Sequence, residues 1–517
     1  MLDSPTRAWL ALSVLVILTR IPAILHPRAI DDEQIYAVVA REMGQGGRLY
    51  LDAVERKPPL LFAVYAGILD AAGPRNWPIL HLAAAAWTLA TMAGLYLTLR
   101  RLFDWQTGII AAGLYGLYQM WGDYRMLAFN GELLMNLPVV LAVLLTFGGV
   151  GRRWRWELLL AGGLIAVAAL LKQPAGIAGV ALAWYVLSPG YARARNLGLP
   201  HRLWHATALA LGFATALGIA GTVLVHLGIL RETVYWSILN HADSVGPSTW
   251  HYWDKALSNT LFFVIEALPL CLAAVAGFGP VRLRAVWKEH TSEQQALLVL
   301  LLVSILGVSV NGQFLFHYYL QLLPPLSLLG APVLRYLLAD QSAAFPRALS
   351  GRVLTGWLVL TLLVFTAVDT TGLVRNRRDS EAGLWVRAHS TDSDRLYVWG
   401  QSDRKTGMYL DADRRPATRF IASYPLTGHI FGGYPAVWGP AYEDRRVMPG
   451  AWDTLRLDFA KHPPRYIIDA EGTSSGTRYP VTRYPVLFQL LKTEYRAVAT
   501  TGDGVIYQRF TRPRPPS

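Results

Sequence analysis

Between residues 30 and 62 the chain gathers side chains able to take up a proton and to hold an anion. Ile30 to Met43 reads IDDEQIYAVVAREM, with Asp31, Asp32 and Glu33 in a row. A carboxylate at an aqueous face can accept a proton from a hydroxyl group. Acids at this position would also cap a helix and complement its dipole, and for Asp31 alone that reading serves equally well. It explains less well why three acids precede a helix of this kind. Glu55-Arg56-Lys57-Pro58-Pro59 follows. A lysine there can hold a phosphate as a point charge, or it can simply snorkel to the lipid–water boundary.

These residues need a frame. Of the 517 residues 53% are hydrophobic and 16% charged, against about 25% charged in soluble domains. Apolar runs of membrane-spanning length recur to about residue 370 and then stop. The first, Trp9 to Leu25, is followed by no small-residue cleavage site and reads as a retained span. Later runs lie near 78–99, 107–121, 132–150, 157–171, 174–188, 206–228, 256–279, 296–311, 319–338 and 353–370. The expectation is a polytopic α-helical membrane protein with about eleven transmembrane helices. Ile35, Val38, Val39 and Met43 keep helical spacing, so 30–43 is expected as an amphipathic surface helix. Leu60 to Ala72 is too short to span and reads as a second surface or re-entrant helix. With the N-terminus cytoplasmic, inside loops hold Arg100, Arg101, Arg152, Arg153, Arg155, Arg193, Arg195, Arg202, Arg282, Arg284, Lys288, Arg347 and Arg352. Short outside loops hold only Arg125, Lys172, Arg231 and Lys255. That bias places the first loop, about 27–77, and the C-terminal region outside. The expected division is a transmembrane domain over 1–371 and a small α+β extracytoplasmic domain over 372–517. Strand-like stretches there include Arg395 to Trp399 and Tyr466 to Asp469, and the tail 512–517 reads as disordered. The net charge of +13 sits largely in the short loops, so nucleic acid is not an expected partner. The single cysteine, Cys271, excludes an internal disulfide and reads as a packing residue.

The ordered set (a first span, Asp32-Glu33 opening a surface helix, Tyr36, Ala40-Arg41-Glu42-Met43, then Glu55-Arg56-Lys57-Pro58) resembles the GT-C superfamily of membrane glycosyltransferases. The nearest likeness is to the bacterial branch related to protein O-mannosyltransferases and lipid A aminoarabinose transferases. The resemblance implies a polyprenyl- or dolichyl-phosphate sugar donor and an inverting transfer on the outer face. It implies Asp32 as the base, Glu33 as its partner in positioning, and Lys57 on the donor phosphate. The aminoarabinose transferases carry an arginine three positions after the aspartate, where this chain has Ile35. Other cations are therefore candidates for the phosphate: Arg56, Arg125 and Lys172. The physical reading agrees with a single base, since a phosphate leaves without a strong general acid. Glycosidases set two carboxyls on opposite sides of the bond, about 5–9.5 Å apart. Asp32 and Glu33 are adjacent and would diverge by roughly 100° on a helix.

Further positions support a pocket. Asn130 and Glu132 lie in a short outer loop where relatives turn an acid or amide to the cavity, although a loop turn and helix start explain them as well. Lys172 ends a span on the outer side. His317 and Tyr318 resemble His-Tyr patches at the cavity lip of relatives, or equally an aromatic belt. His241, Asp243 and His251 match no standard metal spacing. No cofactor is implied, and a divalent metal, though compatible with the carboxylates, has no supporting ligand pattern. Trp399-Gly400-Gln401 and Arg414 to Arg419 resemble a stretch common in bacterial relatives, with a structural or acceptor-related role. The expected partners are a polyprenyl-phosphate-linked sugar, a glycan, lipid or protein acceptor, and the bilayer of a bacterial cytoplasmic membrane. The competing class is a transporter or flippase of lipid-linked sugars. Transporters often show internal repeats, and no convincing repeat is evident here. A bare anchor for the outer domain would not need eleven spans.

Overall fold

The apolar runs fold as helices in the computed structural model. It describes residues 4–119, 123–148, 154–240, 250–279, 281–310, 312–339, 351–376, 379–401, 403–429, 441, 443–473 and 479–510. His241, Asp243 and the tail 512–517 lie outside these, as do Arg152, Arg153 and Arg347; the side chain of His251 is likewise not described. The helices are α1 (Pro5–Leu25), α2 (Asp31–Gly44), α3 (Pro59–Ala72), α4 (Pro78–Leu102), α5 (Trp105–Tyr118), α6 (Gly131–Gly148), α7 (Trp154–Leu171) and α8 (Ala178–Leu187). There follow α9 (Pro189–Arg195), α10 (Leu199–His226), α11 (Trp250–Glu266), α12 (Leu268–Ala276), α13 (Thr291–Ser309), α14 (Leu323–Ala339) and α15 (Gly351–Asn376).

Among the described residues six helices are long and apolar enough to cross a bilayer alone. Two bent pairs bring this to eight: Gln173–Leu187 with α9, at 53°, and the end of α11 with α12, at 82°. The second break falls at Ala267, ahead of Pro269 at the start of α12. The apolar run 256–279, legible in sequence as one span, is therefore two helices at nearly a right angle. The chain is a multi-pass membrane protein, and its lipid-facing surface carries exposed Leu, Ile, Val and Trp such as Leu160, Ile219 and Val275.

The C-terminal domain, expected on the outer side, begins with α16 (Glu381–His389) and builds a five-stranded sheet. In chain order its elements are β1 (Arg395–Trp399), α17 (Asp403–Thr406), β2 (Arg415–Pro416), α18 (Tyr424–Thr427), α19 (Ala451–Lys461), β3 (Tyr466–Asp469), α20 (Pro485–Glu494), β4 (Tyr495–Thr501) and β5 (Gly504–Arg509). The order is β2-β1-β3-β5-β4, with β1 parallel to β2 and β3 and the last two strands antiparallel. Residues 396–399 and 466–469 are buried on both faces of the sheet, which suits parallel strands covered by helices.

Helix α2 differs from a helix lying half in water. Its residues 33–40 are all buried, because the outer domain covers the face that the sequence leaves polar. Arg41 pairs with Asp413 at 2.6 Å. Glu42 accepts both Nε (3.0 Å) and Nη2 of Arg415. Val54 donates its backbone N–H to Arg419 O at 2.9 Å. Arg28 reaches Asp411, and Arg75 reaches Asp413. The charges that make α2 amphipathic are spent on holding the outer domain to the first loop.

Candidate active site

The site forms where the N-terminus of α2 meets the ends of three other segments. Asp32 lies in the first turn of α2, where an acid complements the helix dipole; the N-cap residue is Ile30 and makes no side-chain cap bond. Glu132 opens α6, Lys172 follows α7, and His317 and Tyr318 lie in the 3-10 turn Phe316–Leu322. His317 Nε2 stands 3.6 Å from Asp32 Oδ2 and 3.9 Å from Glu132 Oε1. Lys172 Nζ pairs with Glu132 Oε1 at 2.6 Å and sits 4.7 Å from the centre of the Tyr318 ring. Gly131 permits this approach: a Cβ there would fall 2.9 Å from Leu171 O and 3.2 Å from Lys172 Cδ.

Lys57 enters from the segment before α3, its backbone held by Tyr50 Oη–H donating to Lys57 O at 2.6 Å. Burial pulls its ammonium down, but Tyr318, Asp32, Glu55 and Glu132 together outweigh burial and hold it above the ordinary lysine range. The site thus contains two carboxylates, two ammonium groups and an imidazole. Asp32 keeps a side-chain exposure of 28%, while Glu132 is at 2%. Of the two acids, Asp32 is the one a substrate can reach.

Glu33 points elsewhere, as the helical divergence predicts. It is buried on the back of α2, where Phe129 donates its N–H to Oε1 at 2.6 Å and His81 Nε2 lies 3.4 Å from Oε2. Burial lifts its carboxyl to about 8 against the Phe129 bond and the field of Arg20. Asn130 is also buried and caps α6, its Oδ1 accepting from Leu133 N at 3.0 Å. Tyr36 is fully buried against the edges of Phe62 and Tyr65. Arg125 is bound by Asp123 through both carboxylate oxygens, whose hydrogen bonds raise its pKa, and it lies within the field of Asp32. Arg56 turns to the outer domain, its guanidinium 4.8 Å from the Tyr424 ring centre. The structure therefore converges Asp32, Lys57, Glu132, Lys172, His317 and Tyr318, and sets Glu33, Tyr36 and Asn130 into the supporting wall.

Part of that wall is illegible in local motifs. Tyr65 Oη–H donates to Phe129 O at 2.7 Å. Arg20, wholly buried in the first span, donates to Gln119 Oε1 at 2.6 Å and to Leu127 O at 3.2 Å. An arginine inside an apolar run is a signal in its own right, and Arg20 could have been found that way. His81 has no such signal beyond its place at the head of a span. Among the described residues no group of three or more His, Cys, Asp or Glu is placed to hold a metal ion.

Residues 56–218 match the family model for dolichyl-phosphate-mannose-protein mannosyltransferase. That segment includes Lys57, Glu132 and Lys172 and leaves out Asp32 and His317. A comparison with curated proteins gives no match. The structure is similar to that of ArnT from Cupriavidus metallidurans bound to undecaprenyl phosphate, with a TM-score of 0.56 and 16% identity over 98% of this chain and 99% of that one. It is similar to the apo oligosaccharyltransferase of Archaeoglobus fulgidus, at 0.56 and 14% over 94% and 71%. It also resembles AglB of Archaeoglobus fulgidus in complex with an inhibitory peptide and a dolichol-phosphate, at 0.52 and 12% over 98% and 75%. These solved structures share the fold of this chain. The family model matches residues 56–218, about a third of the chain, and the shared fold extends over nearly all of it.

Proposed function

We propose that the chain transfers a sugar from a polyprenyl-phosphate donor to an acceptor hydroxyl, with inversion, at the outer face of a bacterial cytoplasmic membrane. The observation that carries this reading is the convergence of one accessible carboxylate, Asp32, with the ammonium groups of Lys57 and Lys172 at the outer ends of the spans. Asp32 takes the proton of the acceptor hydroxyl. The oxygen attacks the anomeric carbon, the bond from that carbon to the phosphate oxygen breaks, and polyprenyl phosphate leaves with the electron pair. Lys57 is the principal counter-charge for the leaving phosphate. Lys172 is held in place by Glu132 and Tyr318 and adds to the positive field. Arg125 and Arg56 stand further out and guide the headgroup.

His317 bridges Asp32 and Glu132 and orients the base. Glu33 fixes the first turn of α2 against the Phe129 backbone, so it positions Asp32 rather than meeting substrate. That ArnT has been seen with undecaprenyl phosphate, and AglB with a dolichol-phosphate, supports a lipid-phosphate donor.

The test is release of polyprenyl phosphate from a panel of polyprenyl-phosphate sugars, with membrane extract as acceptor source. Wild type should release it and Asp32→Asn, equally well folded, should lose at least about a hundredfold in rate, the lower range of general-base contributions. Full activity in Asp32→Asn overturns the assignment of the base. Movement of intact sugar-lipid between leaflets without release would favour a flippase.

A further inference from the structure

One cation lies inside the first apolar span. Arg20 belongs to α1, where Ile17, Leu18 and Ile21 are exposed on the lipid side while Val16, Thr19, Arg20 and Ala23 are buried. The buried four share one helical face, which α1 turns to α4 and α5. On insertion scales an arginine at the bilayer centre costs about 2.5–3.5 kcal/mol, and one that is retained points to a function. What Arg20 touches says which.

Its guanidinium holds two neutral oxygens. Nη2 donates to Gln119 Oε1 at 2.6 Å, and Thr88 Oγ1 lies 3.0 Å from the same oxygen. Gln119 caps α5 and Thr88 belongs to α4, so this end of the fork is fixed to the helical body. Nη1 donates to Leu127 O at 3.2 Å. Leu127 closes the 3-10 turn Tyr124–Leu127, in the segment that leads into α6. Two further bonds fall on the same short stretch. Phe129 N–H donates to Glu33 Oε1 at 2.6 Å, and Tyr65 Oη–H donates to Phe129 O at 2.7 Å. Arg20 from α1, Glu33 from α2 and Tyr65 from α3 thus tie residues 127–129 to three helices.

The tied stretch joins the two acids of the site. On one side Glu33 is the chain neighbour of Asp32 in the first turn of α2. On the other, Phe129 stands three positions before Glu132, and Asn130 between them caps α6. Asp32 and Glu132 face His317 Nε2 at 3.6 and 3.9 Å. A shift of residues 127–129 would move both carboxylates relative to that imidazole. The two ammonium groups are held by other parts: Lys57 by Tyr50 on its backbone, and Lys172 at the end of α7.

We propose that Arg20 is a positioning residue for the transfer: through Leu127 O it sets Glu132 against Asp32, without meeting substrate. This rests on the glycosyltransferase reading above. An arginine that only packs would stabilise the chain and leave the turnover of each folded molecule alone. A positioning arginine acts on turnover itself, since a misplacement of about 1 Å can cost about a hundredfold in rate.

The experiment compares wild type, Arg20→Met and Arg20→Lys as detergent-purified full chains. Methionine removes the charge and both donors. Lysine keeps the charge but lacks the fork that reaches Gln119 and Leu127 together. Release of undecaprenyl phosphate is followed from a panel of undecaprenyl-phosphate sugars with membrane extract as acceptor source. Rates are divided by the number of sites that bind undecaprenyl phosphate, so that loss of folded protein does not count. Per site, Arg20→Met should lose about ten- to a hundredfold in kcat, with KM for the donor within about twofold of wild type. Arg20→Lys should fall between the two and carries the test if Arg20→Met does not fold. Amide hydrogen exchange over residues 124–130 should quicken about tenfold in Arg20→Met, the loss of one buried hydrogen bond, and less in Arg20→Lys. The proposal is overturned if a folded variant keeps the wild-type kcat per site, if KM alone changes, or if exchange over 124–130 is unaltered. If wild type releases no undecaprenyl phosphate from any donor, the transferase reading falls. Quickened exchange then leaves the tie from Arg20 to the loop standing, and unaltered exchange removes that as well.

Discussion

Replacing Lys172 by methionine tests whether the charges at the site are a balanced set. Lys172 Nζ and Glu132 Oε1 are 2.6 Å apart, with side chains only 11% and 2% exposed. Removing one member of such a pair leaves a buried charge without its counter-ion, which costs about 3–5 kcal/mol. His317 at 3.9 Å and the nearby Lys57 still face Glu132, so the expected loss lies near the lower end, about 3 kcal/mol. Glu132→Gln alone should also destabilise, since it strands Lys172. The double variant Glu132→Gln/Lys172→Met removes both charges and should recover most of the loss, because replacing a whole buried pair by uncharged groups is often neutral. Transfer should stay defective in Lys172→Met and in the double variant, since neither restores the phosphate counter-charge. The assay is a ranking of apparent melting temperatures in detergent, alongside polyprenyl phosphate release. A Lys172→Met protein that melts with wild type, or a double variant no more stable than the worse single one, would refute the reasoning.

The remaining expectations concern the wall of the site. Glu33 ionises near 4.5 when unfolded and about 8 when folded. Its raised value means that the stability it confers is complete below pH 4.5 and declines as pH rises towards 8. Glu33→Gln should therefore flatten the fall in melting temperature between pH 5 and 8 and be the more stable protein at pH 8, on the order of a few kcal/mol; a parallel pH profile for the two proteins would show Glu33 ionised throughout. Glu42→Arg should loosen the outer domain by breaking its two-point contact with Arg415, and Glu42→Arg/Arg415→Glu should restore it in part. Limited proteolysis of the segment 377–395 reads this, and no difference between single and double variants would mean that the pair does not clamp the domain.

How much of this was legible in the sequence differs by element. The apolar runs set the helices because every backbone group in lipid must be bonded within its own segment, and the described residues of the runs are almost wholly helical. The bend at Ala267 was hidden, since hydropathy registers composition and not direction. For the site, adjacency on a helix sufficed to separate Asp32 from Glu33: the one faces His317, the other is buried against Phe129. Lys57, Glu132, Lys172, His317 and Tyr318 were recognisable one at a time as polar residues at the outer ends of apolar runs. That they meet could be read from no local pattern, because they belong to segments up to 285 positions apart, from Asp32 to His317.

The sequence alone determined a membrane-embedded helical body and a C-terminal part of mixed strands and helices, and it drew attention to a loop with an acid and a lysine. These follow from hydropathy, charge asymmetry and side-chain type, which are properties of short segments. Only the tertiary structure decided that α2 is roofed by the outer domain instead of lying open to water, with Arg41 and Glu42 matched to Asp413 and Arg415. It alone decided that Tyr36 belongs to the aromatic core and that Arg56 of the first loop stacks on Tyr424 of the C-terminal domain. The reason is physical: burial and pairing depend on what covers a residue, and for the first loop the cover is chain more than 350 residues away.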